Sequence, residues 1–235
     1  MRLDKLLANS GYGSRKDVKQ LIKNKLVKVN ETIVKKAEMQ INPETDQITC
    51  KGEIVQYEQF KYLMLYKPKG VISATVDEEH RTVIDLLDKK DQIADLFPVG
   101  RLDKDTVGLL LLTNDGKLAH NLLSPKKHVD KKYFAKVKGI VTEMDRHTFA
   151  KGVNIGDYIT KPASLNILSS ADISEVEVII SEGKFHQVKR MFEAVDKKVI
   201  YLKRLEMGPL VLDEKLPIGK YRELSIEELQ LLKDC

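Results

Sequence analysis

An α+β chain of two domains is predicted. Residues 1–58 read as a small basic domain and residues 59–235 as a larger one, a mixed, mainly antiparallel sheet with flanking helices. Three observations predict this. A length of 235 residues is long for one compact domain and suits one small plus one medium domain. Charge is unevenly spread: residues 1–36 hold ten basic against three acidic side chains, whereas the whole chain carries a net charge of only +5. Past residue 61, strand-like segments outnumber helical ones without a sustained strand–helix–strand alternation.

The first element is a short helix with Leu3, Leu6 and Leu7 at helical spacing, ended by Gly11 and Gly13. Ser14 is placed to cap a second helix, with Asp17 as its third-position partner. Val18, Leu21 and Ile22 form the apolar stripe of that helix, and Arg15, Lys19 and Lys23 follow at four-residue steps along one edge. A short strand at Val27–Val29 comes next. A row of lysines is most often a solvated helix face. Here the apolar face beside it is too small to need so much charge for solubility, which favours a polyanionic partner.

Residues 56–61, QYEQFK, read as a linker. Tyr62–Tyr66 is a buried strand candidate closed by the turn Lys67-Pro68-Lys69-Gly70, and Val107–Thr113 is another, followed by the turn Asn114-Asp115-Gly116. Tyr133–Lys138 and Val176–Ile180 alternate as half-buried strands. Val188–Val195 has helical period, and Ser225 with Glu228 caps a last helix carrying Ile226, Leu229 and Leu232.

Several classes are excluded or disfavoured. Hydrophobic residues make up 42%, enough for a core without disulfides, and the two cysteines, Cys50 and Cys235, have no Cys or His at ligand spacing. Two reduced thiols and no metal site are expected. The N-terminus lacks the apolar stretch of a secretion signal, and the strongest apolar run, Val107–Leu112, is too short to span a bilayer. A soluble, cytoplasmic protein without a membrane partner is expected. No P-loop or dinucleotide-binding glycine pattern is present, which disfavours a nucleotide-dependent enzyme.

Three segments are candidates for chemistry. In GRLDKDTVGLLLLTNDG, Asp103 lies in a loop just before a buried strand, where a rigid element holds the backbone while the carboxylate reaches a cleft. Taken alone, such an aspartate is more often a turn or cap residue, and Asp105 and Asp115 have no special claim. Tyr133 opens an alternating strand and is by default a half-buried strand residue. In ISEGKFHQVKRMFEAV, Glu182-Gly183-Lys184 forms a turn ahead of a helix whose first turns carry Lys189 and Arg190. Cations there oppose the helix dipole and call for an anion nearby. A lone histidine, His186, reads as a hydrogen-bonding residue rather than a base.

These segments carry a resemblance. RLDKLLANSGYGSRKDVKQLIKNKLVKVN resembles the alpha-L RNA-binding module first known from a small-subunit ribosomal protein, with Asn30-Glu31 where that module has Asn-Gly. GRLD followed by D-x-x-G-L-L-L-L-T-N-D-G is similar to the catalytic segment of the pseudouridine synthases, in the subfamily that acts on ribosomal RNA. KPKGV at Lys67–Val71, AKGV at Ala150–Val153, TKPA at Thr160–Ala163 and EGKFHQVKRMF at Glu182–Phe192 extend the likeness over nearly the whole chain. HQVKRM looks closest to the branch that modifies a uridine of 16S rRNA, since relatives acting on 23S rRNA carry more arginine here.

The resemblance implies isomerisation of a uridine in RNA without metal or other cofactor. It makes Asp103 the catalytic carboxylate, Lys189 its ion-pair partner with Arg190 as the substitute, and Tyr133 the ring packed on the extruded uracil. Arg15, Lys16 and Lys19, with Arg2 and Lys23 beside them, would meet RNA phosphates, as would Arg101, Lys184 and Arg190 in the second domain. A monomer is expected. Two rivals stay open: a synthase for 23S rRNA, and a non-catalytic RNA-binding factor for ribosome assembly.

Overall fold

The computed structural model describes every residue except Gln56, Ala94, Pro125 and Lys126. The chain divides into two units: Met1–Lys61 with Ile84–Phe97, and Tyr62–Val83 with Pro98–Cys235.

The first unit begins with α1 (Leu3–Asn9) and α2 (Arg15–Lys23). The capping box at the start of α2 forms as its residues dictate: the Asp17 amide donates to Ser14 Oγ, and the Ser14 amide donates to the Asp17 carboxylate at 2.9 Å. Four short strands follow, β1 (Val27–Val29), β2 (Thr32–Ile33), β3 (Ile48–Cys50) and β4 (Glu53–Ile54). They pair antiparallel in the order β2-β1-β3-β4. Leu3, Leu6, Leu7, Val18 and Ile22 from the helices meet Val27, Val29, Ile48 and Cys50 from the sheet in one apolar core. Arg15, Lys16, Lys19 and Lys23 are left on the solvent side.

Two expectations need correcting in this unit. Ile84–Phe97, expected in the second domain, clusters with the first. Gly11 lies so close to this segment that a Cβ there would sit 2.7 Å from the Lys90 carbonyl oxygen, and Asp91 forms an ion pair with Lys61. The expected linker 56–61 is not free either, because Tyr57 packs on the apolar core and Lys61 is engaged by Asp91; Gln56 lies outside the described residues.

The second unit contains β5 (Tyr62–Lys67), β6 (Phe97–Pro98) where the chain returns to it, β7 (Val107–Thr113), α3 (Gly116–Leu123) and β8 (Lys131–Lys138). It continues through α4 (Glu143–Lys151), β9 (Ser164–Ser169), β10 (Ile173–Ile180), α5 (Gln187–Glu193) and β11 (Lys198–Met207). It ends with β12 (Leu210–Val211), β13 (Tyr221–Glu223) and α6 (Ile226–Lys233). The main path of its sheet runs β13-β5-β7-β11-β8-β10-β9. All pairings along that path are antiparallel except β7 with β11.

Every residue of β7 is buried, so its code is a continuous apolar run rather than an alternation. Its four leucines are each fully buried, which stabilises the sheet by roughly 1.5–3 kcal/mol per side chain relative to exposure. Gly108 permits the parallel crossing. It lies opposite Arg204 at a φ of +111°, and a Cβ there would sit 2.2 Å from the Arg204 carbonyl oxygen. Strand β8 alternates as expected, and on its half-exposed face Lys132 reaches Glu177 at 3.0 Å and Lys136 reaches Glu175 at 2.8 Å.

Helices α3 and α4 were not foreseen. Asp115, expected in a turn, is the N-cap of α3: its carboxylate accepts from the amides of Lys117 and Leu118, both at 3.0 Å. In α6 the capping box forms and Leu232 is buried, but Ile226 is 84% exposed and takes no part in the core.

The β1–β2 hairpin carries the departure at Asn30-Glu31. Both residues adopt positive φ, +47° and +63°, as a two-residue turn with matching twist requires. Asn30 tolerates this and ties the turn down, accepting from the Gln47 amide at 2.9 Å. Glu31 is strained there and recovers little from its exposed pair with Lys28 at 3.4 Å. Glu31→Gly is expected to stabilise the first unit by about 0.5–1 kcal/mol, read as slower amide hydrogen exchange along β1. Faster exchange would contradict the assigned turn.

Candidate active site

The site is built around the segment that feeds β7. Lys67, the last residue of β5, is fully buried. Its ammonium donates to the carbonyl oxygens of Pro68 at 3.1 Å, Asp103 at 3.0 Å and Thr106 at 2.9 Å. Burial depresses its pKa to about 8, against the opposing pull of the Asp103 and Asp105 carboxylates. Ser73 brackets Leu102, its hydroxyl donating to the carbonyl at 2.9 Å and accepting from the amide at 3.0 Å. The Gly70 amide donates to the Lys104 carbonyl at 2.7 Å. The backbone of Leu102–Thr106 is thereby held at four carbonyls, and the Asp103 side chain projects from a rigid support.

The Asp103 carboxylate meets two groups from the α5 end of the unit. Lys189 Nζ donates to one oxygen at 2.9 Å, and His186 Nε2 lies 3.6 Å from the other. Lys189 also donates to Asp105 at 2.6 Å, so one ammonium bridges two carboxylates. Burial works to lower the Lys189 pKa, but the hydrogen bonds from Asp105 and Asp103 outweigh it and the pKa is raised. Burial likewise pushes Asp105 up, and Lys189 more than reverses that, leaving it below the usual range. These anions answer the cation that α5 carries near its N-terminus.

The turn presenting His186 is braced from behind. Glu182 accepts from the Lys161 amide at 2.9 Å, from Gln187 Nε2 at 2.8 Å and from the Tyr158 hydroxyl. Gln187 Oε1 accepts in turn from the Lys184 amide at 2.9 Å.

Tyr133 stands on β8 opposite Val178 and Arg204, mostly buried. With Asp103, Thr106, Ile180 and His186 it lines a cavity of about 70 Å³. The Thr106 hydroxyl is buried at this cavity without a hydrogen-bond partner among the described residues.

The predicted residues fare unevenly. Asp103, Tyr133 and Lys189 are brought together, and Arg101 and Lys184 line the same cavity, with Lys184 Nζ also 5.0 Å above the Tyr158 ring. Arg190 is turned away from Asp103. It is engaged by Asp157 and by the Ile155 carbonyl at 2.5 Å, so it neither substitutes for Lys189 nor stands open to RNA. Asp105, given no claim from sequence, shares the Lys189 ammonium, and His186, read as peripheral, faces Asp103. Lys67 was missed as a site residue. The one sequence signal was a lysine ending an otherwise apolar strand.

In the first unit, Arg15 lines a cleft with Tyr12, Lys51 and Lys89. Lys19 is loosely paired with Glu38 at 3.8 Å. Arg2 differs from expectation: its guanidinium forms a forked pair with buried Asp4, at 3.0 and 2.7 Å, which spends its donors inside the protein.

Comparison with known proteins places the chain in a family. Residues 61–194 match the RNA pseudouridylate synthase family, and residues 1–48 match the S4 domain. The uncharacterised RNA pseudouridine synthase YtzG of Bacillus subtilis is 50% identical, covering 100% of this chain and 99% of the relative. The ribosomal large subunit pseudouridine synthase B of the same organism is 41% identical, covering 99% and 95%. The ribosomal small subunit pseudouridine synthase A of Haemophilus influenzae is 40% identical, covering 99% of each. A crystal structure of a pseudouridylate synthase superposes with a TM-score of 0.69 at 38% identity, covering 99% of each chain. The chain belongs to the RNA pseudouridine synthase family and carries an S4 domain at its N-terminal end.

Proposed function

We propose that this chain converts one uridine of 16S ribosomal RNA to pseudouridine, with Asp103 as the catalytic carboxylate. The observation that carries the chemistry is the Asp103–Lys189 ion pair at the mouth of a cavity that also holds Tyr133. In the reaction the bond from C1′ to N1 of uracil breaks, the ring turns, and C1′ bonds to C5. C5 gives up its proton and N1 gains one, so no redox partner is consumed. Asp103 starts this by attacking the nucleoside or by removing a ribose proton. Lys189 keeps the carboxylate ionised as water is displaced, and Tyr133 packs against the everted base. Lys67 is a positioning residue that fixes where Asp103 stands.

The 16S assignment rests on the HQVKRM segment and on relatives named for the small subunit. The large-subunit relative at 41% identity favours a second reading, a site in 23S rRNA. Pseudouridine mapping of both rRNAs with and without the gene separates them. A site lost from 23S alone would overturn the first reading. The S4 domain supplies phosphate contacts that orient the enzyme without reading sequence. In this reading the first unit binds RNA and the second performs the chemistry, as a monomer in the cytoplasm.

Asp103→Asn is expected to lower turnover at least about 10³-fold while RNA affinity stays within about threefold, because Lys189 keeps its bond to Asp105. Tritium release and filter binding read the two effects, and full turnover in this variant removes Asp103 from the mechanism.

Lys67→Met leaves three backbone carbonyls without their donor. A loss of about 2 kcal/mol in stability and a roughly tenfold or larger fall in single-turnover rate are expected. An unchanged rate in the folded variant would show that Asp103 is positioned by other contacts.

Charge reversal at Arg15 and Lys19 together is expected to reduce the slope of log K against log salt by about 1.5. An unaltered slope would make this face solvated surface only.

A further inference from the structure

Outside the narrow cavity lies a second, wider one of about 690 Å³, which shares Asp103, Arg101, Lys184 and His186 with it. The family chemistry needs only the narrow one, for the target uracil. The wider basin is dominated by Phe185, which is 68% exposed. Its ring stacks on the His186 imidazole with centroids 3.8 Å apart and planes 16° from parallel. His186 covers one face of Phe185 while most of the ring stays open to solvent. The backbone holds His186 at a φ of +50°, an unfavourable conformation for a residue with a side chain.

The rim of the basin is cationic. Arg101 and Lys104 line it and both are exposed; among the described residues neither forms an ion pair with a carboxylate, although Lys104 lies near enough to Asp77 for their charges to attract. An open aromatic face beside unpaired cations is the combination that takes a single-stranded nucleotide, the base on the ring and the phosphate on the charges. A small apolar ligand would need an enclosed apolar pocket instead.

We propose that Phe185, backed by His186, is a stacking platform for the unpaired base next to the target uridine, with Arg101 and Lys104 holding the connecting phosphate. This rests on the RNA reading of the Asp103 site and extends it. A strand that delivers one nucleotide into the Tyr133 cavity passes the mouth where Phe185 stands. The platform holds that strand everted, so its contribution is to substrate capture rather than to the chemical step.

The test uses unmodified, tritium-labelled 16S and 23S rRNA transcripts with the full-length protein. Phe185→Leu keeps an apolar side chain but removes the stacking face. A rise in KM of about tenfold or more is expected with kcat and thermal stability nearly unchanged, since base–aromatic stacking is worth on that order per base. The chain contains no tryptophan, so Phe185→Trp introduces a single indole at the platform, which is excited at wavelengths where the eight tyrosines do not absorb. That variant should keep turnover within about threefold of the parent. Its emission should fall, and its quenching by acrylamide should weaken, on adding RNA. A KM for Phe185→Leu within twofold of the parent, or a Trp signal indifferent to both transcripts, overturns the platform. The fluorescence titration reads the platform whichever rRNA is turned over, and the Asp103→Asn assay tests the catalytic reading separately.

Discussion

A buried lysine ammonium under the loop that presents Asp103 is the constraint from which the second unit is best understood. Burying an ammonium is costly unless each of its hydrogens finds an acceptor, and Lys67 finds three, all backbone carbonyls of the two segments it joins. An apolar side chain of the same length would pack as well at the end of β5, but it would leave those carbonyls without a donor. The ammonium therefore welds the end of β5 to the segment that enters β7, and Asp103 is itself one of the bonded points. Register makes this possible. Lys67 pairs with Gly108, and Gly108 in turn lies against Arg204 with no room for a side chain. The approach of three strands, the glycine and the buried lysine form one arrangement.

The electrostatics of the site follow from that rigidity. Once Asp103 cannot retreat, a cation brought up by α5 must pair with it, and Lys189 does so while holding Asp105 as well. A point charge on a flexible stem suits a bridge between two carboxylates better than a planar fork, which engages one carboxylate most strongly. Arg190 shows the other case, occupied by Asp157 and a carbonyl on the opposite side of the helix start. The shared ammonium has a functional consequence. If the Asp103 carboxylate loses its charge, as the proposed reaction requires, Lys189 keeps Asp105 and the local fold keeps an ion pair.

How far the fold was legible in the residues depends on where each signal is written. Ser14 with Asp17 and Ser225 with Glu228 announce helix starts because the bonds they make are local, and both capping boxes form. The Val107–Thr113 run announces a strand buried on both faces. Asp115 misled, because an aspartate before glycine serves a turn and a helix cap alike, and only the chain beyond it decides. Ile226 misled because helical spacing marks an apolar face without showing that anything covers it. For the site, Asp103, Tyr133 and Lys189 could be named because the resemblance is written in side-chain identity at those positions. The Lys67 contacts are to backbone oxygens, so the sequence shows the donor, a lysine closing an apolar strand, but not its partners. The claims of Asp105 and His186 depend on a convergence of segments more than 80 residues apart.

The same contrast separates chemistry from specificity. The narrow cavity, the Asp103–Lys189 pair and the lysine weld require only a uridine that can be everted, and nothing in them distinguishes one rRNA from another. Base eversion is opposed by stacking in the RNA, so selectivity has to come from groups that hold the flanking strand open or that gather phosphates at a distance. Exposed Phe185 at the mouth and the basic edge of α2 are placed for those two tasks. Such positions are free to vary without disturbing the welded loop. Relatives named for opposite ribosomal subunits can therefore match this chain almost equally well, at 41% and 40% identity.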